Sequence, residues 1–75
     1  MGIWIRSQDK ETIMNCNELG IVFKDNKSIY SNGYVLGTYS SRKKALKVLD
    51  MIQSFINNEL IRDYMVFQMP QDDEV

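Results

Sequence analysis

The chain reads as an α+β domain: an antiparallel β-meander of about five short strands packed on one amphipathic helix, followed by a short C-terminal strand. Three observations predict it. Apolar residues between positions 3 and 39 recur at period two in short stretches, broken by Ser, Asp, Asn and Gly. Asn32-Gly33 offers the two positive φ angles that a type I′ hairpin turn needs. From residue 41 the period becomes helical, and Ala45, Val48, Leu49, Ile52, Phe55 and Ile56 fall within an arc of about 120°.

The elements follow in chain order. Residues 3–6 form a first strand with Ile3 and Ile5 on one side. Ser7-Gln8-Asp9-Lys10 is turn material, because the Ser7 and Asp9 side chains can bond nearby backbone. Residues 11–16 return as the second strand of a hairpin, with Thr12, Met14 and Cys16 on one side and Ile13 and Asn15 on the other. Residues 19–24 make a third strand, with Leu19, Ile21 and Phe23 sharing a face. Asp25-Asn26-Lys27 reverses the chain into a fourth strand at 28–31, and Asn32-Gly33 turns it into a fifth at 34–39. Gly37 interrupts that strand and marks a bulge or the close approach of another segment.

Ser40 or Ser41 caps the helix, which runs to about residue 58. Lys43, Lys47, Asp50, Ser54, Asn57 and Asn58 lie on its polar side; Leu46 and Met51 flank the apolar stripe and are expected to cover sheet edges. Residues 64–68 alternate as a last strand, which Pro70 ends. Residues 1–70 are thus expected to form one domain and 71–75 a loose acidic tail.

At 75 residues, the chain buries only ~60% of its unfolded surface, so its stability margin is thin. One cysteine, Cys16, and no histidine deny it an intrachain disulfide, a cysteine cluster and a histidine-centred triad. Cys16 has no neighbouring base to activate it, and Gly20, Gly33 and Gly37 form no phosphate-cradling loop. Asp9 with Glu11, or Asp25 with Asp50, are conceivable carboxylate pairs, but they sit in turns or on a solvated helix face. The run Asp72-Asp73-Glu74 lacks a shaped cation loop. No enzyme activity, cofactor, metal or small-molecule ligand is therefore expected. No apolar run approaches the ~20 residues of a membrane span, and the N-terminus does not read as a leader. With a lone cysteine, these readings point to the cytoplasm.

Charge is uneven. Residues 1–60 carry eight cations against six anions, whereas 61–75 carry Arg62 against four anions. Arg42, Lys43, Lys44 and Lys47 crowd the start of the helix, where they oppose its dipole. Phosphate contact is one reason for such a placement; the other reading is a neutral solvated surface on which nearby Asp or Glu residues offset the cost. Trp4, Arg6, Lys24, Tyr30 and Lys27 would extend such a surface across a sheet face.

Trp4-Ile5-Arg6-Ser7-Gln8-Asp9, Val35-Leu36-Gly37-Thr38-Tyr39-Ser40-Ser41 with Ala45-Leu46-Lys47-Val48-Leu49-Asp50, and residues 64–70 with their acidic end together resemble a small family of uncharacterised proteins. These come from Gram-positive bacteria and their phages and mobile elements. The resemblance spans nearly the whole chain and implies a fold and a bacterial or phage source, with no activity attached. Members are often acidic where this chain has Arg42-Lys43-Lys44. Leu36-Gly37-Thr38-Tyr39, followed by Ala45 and Asp50, is also similar to the strand-to-helix corner of AP2-type DNA-binding domains, which implies a DNA-reading role for Trp4 and Arg6.

The resulting expectation is a small non-enzymatic structural or protein-interaction module. Its partner would be a second copy or another protein, engaged through Tyr64, Val66 and Phe67 of the last strand. The alternative is an accessory nucleic-acid-binding protein.

Overall fold

The structure, a computed structural model, describes residues 2–57 and 65–75. The described residues form β1 (Ile3–Arg6), β2 (Ile13–Cys16), β3 (Gly20–Ile21), β4 (Ser28–Ser31), β5 (Tyr34–Thr38), the helix α1 (Arg42–Ile56), β6 (Val66–Gln68) and a 3₁₀ turn at Asp72–Glu74. This is an α+β fold of short strands packed on one helix.

The strands divide into two three-stranded sheets, ordered β2-β1-β6 and β3-β4-β5. In the first, β1 lies at the centre. It pairs antiparallel with β2, Ile3 opposite Cys16 and Arg6 opposite Ile13. On its other side it pairs in parallel with β6, Trp4 opposite Val66 and Arg6 opposite Gln68. In the second sheet the Asn32-Gly33 turn forms as its residues dictate, with φ of 54° and 77° between the partners Ser31 and Tyr34.

Both sheets turn an inner face to α1. Ile5 and Cys16 from one sheet and Ile29 and Leu36 from the other are at most 2% exposed, as are Tyr39, Ala45, Val48, Ile52 and Met69. Burying each large aliphatic side chain there contributes roughly 1.5–3 kcal/mol. Ser41 caps α1 by accepting the Lys44 N–H, and Asn57 ends it.

Two expectations about strand length and helix faces need correction. The third strand keeps only Gly20 and Ile21, because Asp25 draws the chain into a turn before Phe23 can pair: its carboxylate accepts the Lys27 and Ser28 N–H groups and the Ser28 hydroxyl. Leu19 and Ile21 still pack on the core, but Phe23 does not join them. In β5 the irregularity expected at Gly37 is present: Ile29 pairs with Gly37 but Tyr30 with Val35, and Leu36 is buried while Tyr34, Val35 and Thr38 are exposed. On α1, Leu49 and Phe55 are only half-buried, and Leu46, Met51 and Ile56 are exposed.

The seam between the sheets is closed by Gln8. Its backbone N–H donates to the Leu36 carbonyl at 2.7 Å. Its side chain accepts the Thr38 N–H at 3.0 Å and donates to the Thr38 carbonyl at 3.1 Å, pairing with β5 as a strand backbone would. The same amide reaches the Pro70 carbonyl. Gly37 permits this approach: a Cβ there would lie 3.2 Å from the Gln8 Cβ and 3.1 Å from the Tyr39 hydroxyl.

Residues 71–75, expected to hang loose, are fastened down. The Tyr39 hydroxyl donates to the Pro70 carbonyl at 2.9 Å, and the Gln71 side chain donates to the Gln8 carbonyl at 2.7 Å. Glu74 accepts the Gln71 N–H, closing a capping box, and Val75 packs against the core.

Candidate functional site

The residues proposed for nucleic-acid contact do not share one surface. Trp4 and Arg6 alternate with Ile5, whose side chain enters the core beneath α1, so they point away from the helix. Lys43 and Lys47 sit on the exposed side of α1. Lys44 is engaged elsewhere: its ammonium donates to the Asp72 carbonyl at 3.0 Å and lies 3.4 Å from the Asp72 carboxylate.

Asp72 explains how a basic first turn is tolerated. α1 has no acidic residue of its own there. The Asp72 carboxylate, carried in by the 3₁₀ turn, accepts the Ser40 N–H at 2.7 Å beside the helix start. That hydrogen bond, and then Lys44, hold the Asp72 carboxyl below its ordinary value of 3.8.

Two surfaces stand out among the described residues. The first is the outer face of β2-β1-β6. Trp4 is 41% exposed, Val66 beside it 43% and Ile13, diagonally across, 52%. Arg6 lies between Ile13 and Gln68, its guanidinium donating to the Lys10 carbonyl at 2.9 Å. Of the predicted contact residues on the last strand, Val66 belongs to this face. Phe67 turns inward, because alternation along β6 sends it to α1, where its ring meets Phe55 edge-on at 5.4 Å. Tyr64 lies outside the described residues.

The second surface is the β3–β4 turn. Phe23 stands at its tip, 97% exposed. Four groups fix the loop beneath it: the Asp25 carboxylate on Lys27 and Ser28, the Asn26 N–H on the Val22 carbonyl, the Val22 N–H on the Ser28 carbonyl, and the Arg42 guanidinium on the Asn26 side chain. Asn26 takes the left-handed φ of 62° that closes the turn. Arg42 is thereby brought to the turn that carries Lys24 and Lys27. Sequence reading placed Phe23 in a strand; the clue against it was Asp25, whose short side chain bonds its own backbone better in a turn than in a ladder.

A shallow depression of about 160 Å³ is lined by Gln8, Asp9, Val35, Leu36, Gly37 and Thr38, below the ~300–1,000 Å³ of usual small-molecule sites. Asp9 beside it accepts the Ser7 hydroxyl and the Glu11 N–H, which hold its carboxyl below 3.8. Asp25 is held low likewise, first by the Ser28 hydroxyl and then by the Lys27 N–H. These are carboxylates kept ionised by their own turns, the opposite of what a proton donor near neutral pH requires. Cys16 is buried and directs its thiol at the Met14 carbonyl. Among the described residues, no three His, Cys, Asp or Glu side chains converge to hold a metal ion. No described helix is long and apolar enough to cross a membrane. Compared with family models, curated proteins and solved structures, the chain matches none.

Proposed function

We propose that this chain is a small non-enzymatic protein-interaction module of the cytoplasm, bacterial or phage in origin, whose contact surface is the outer face of β2-β1-β6. One observation carries the reading. Trp4, Ile13 and Val66 are exposed together on a sheet face whose opposite side is fully used by the core. A contiguous apolar group with a central Trp beside an Arg is the composition of a protein-binding hot spot. The surrounding Arg6, Asn15 and Gln68 supply a polar rim.

Site-specific photo-crosslinking tests it. A photoreactive residue is placed at Ile13 or, as a control on the far side of α1, at Ser54, and the chain is expressed in its native host. Position 13 is expected to give a discrete protein adduct that Trp4→Ala suppresses and position 54 does not give. An adduct twice the chain's mass identifies a second copy. Equal labelling from both positions, or none from position 13, overturns the reading.

A further inference from the structure

We propose that the β3–β4 turn is a binding site for single-stranded nucleic acid, in which one base stacks on Phe23 while Lys24, Lys27 and Arg42 contact the flanking phosphates. An aromatic ring 97% exposed does nothing for the fold, since both its faces meet water. Yet the loop that carries it is held by the Asp25 carboxylate, by two backbone bonds and by Arg42. A ring presented on a braced support binds with little ordering cost. Stacking needs no pocket, because every base offers a flat π-face, and an exposed aromatic on the same turn as Lys24 and Lys27, with Arg42 bonded to Asn26, matches a strand that alternates bases with phosphates.

Charge complementarity selects this occupant over a lipid surface. Lys24, Lys27 and Arg42 surround one anion, Asp25. The other residues of the tip, Lys24 to Lys27, are exposed and polar. Phe23 is thus a single apolar group, too little to anchor a chain in a bilayer, and inserting it would drag Asp25 against anionic headgroups. The turn belongs to β3-β4-β5, apart from the face carrying Trp4, so either proposal can fail alone.

The test is a fluorescence-anisotropy titration of labelled oligothymidylate, roughly 20 nucleotides long, with the full chain. With about three phosphates neutralised, affinity should fall about 20-fold between about 50 and 200 mM salt. Phe23→Ala should weaken binding by about 5- to 150-fold. Phe23→Leu, which keeps the apolar bulk and loses the π-face, should weaken it similarly, and Phe23→Trp should restore it. Because the position is exposed, circular dichroism should show all three variants folded. Absent or salt-insensitive binding overturns the proposal, as does full affinity in Phe23→Ala or Phe23→Leu. So does a result in which the parent chain and its Phe23→Leu variant bind vesicles of phosphatidylcholine and phosphatidylserine equally while both ignore the oligonucleotide.

Discussion

Gln8 does at one position what a strand does over several. Its side-chain amide has one acceptor and two donor hydrogens, and they are used on Thr38 from both directions and on Pro70. Glutamate in its place would still accept the Thr38 N–H but would press a charged oxygen against two carbonyls. Alanine would leave the Thr38 and Pro70 groups to water. We expect Gln8→Ala to cost about 1–3 kcal/mol in urea-induced unfolding, and Gln8→Glu to cost more at neutral pH than at a pH where the new carboxyl is protonated. A loss no larger than that of a typical surface substitution, within about 0.5 kcal/mol, would mean that the backbone contact with Leu36, the Thr12–Tyr34 hydrogen bond and the shared core join the sheets without the Gln8 amide. Nothing local to Ser7-Gln8-Asp9-Lys10 announces this role, because both partners lie far along the chain.

At the scale of elements, what the sequence shows is what local chemistry controls. Ile3–Arg6, Ser28–Ser31, the Asn32-Gly33 turn and the Ser41 cap form where their residues place them. Backbone preference and period are written within a few residues of each other. Pairing is not: that β6 lies parallel to β1, and that the strands part into two sheets, depends on contacts across some sixty positions. The helix illustrates the division. Periodicity treats Leu49 and Ile52 as equals, but Ile52 belongs to the buried core and is 2% exposed, whereas Leu49 packs against that core half-buried. Ile52→Ala should therefore cost about 2–5 kcal/mol and Leu49→Ala distinctly less, as read from thermal unfolding of the two variants side by side. Of the candidate surfaces, the alternation that sets Trp4 and Arg6 apart from Ile3 and Ile5, and Ile13 apart from Met14 and Cys16, was legible, though not which side of the second strand faces out, whereas the exposure of Phe23 was hidden by a strand pattern that Asp25 cuts short.

For the whole molecule, the C-terminal acidic segment links the last strand to the start of the helix. Asp72 binds Ser40 and Lys44, Pro70 receives Tyr39 and Gln8, and Gln71 returns to Gln8. The Tyr39 hydroxyl, whose ionisation is driven far upward by burial and then by Asp72 and Glu74, remains a donor at every ordinary pH. Acid is the lever on this arrangement. Asp9, Asp25 and Asp72 all have carboxyls held below 3.8 in the folded chain. A depressed folded-state value means stability that is fully present above the unfolded value and is lost as pH falls through the folded one. The melting temperature should therefore hold steady from neutrality to about pH 5 and decline below it as these three groups take up protons. Deleting residues 72–75 should lower the melting temperature by about 5 °C or more at neutral pH, and should leave a shallower acid decline, since two of the three depressed carboxylates remain. If the shortened chain melts with the parent at neutral pH and keeps the same acid decline, the segment is an ornament on the fold, and the basic first turn of α1 must be tolerated for another reason.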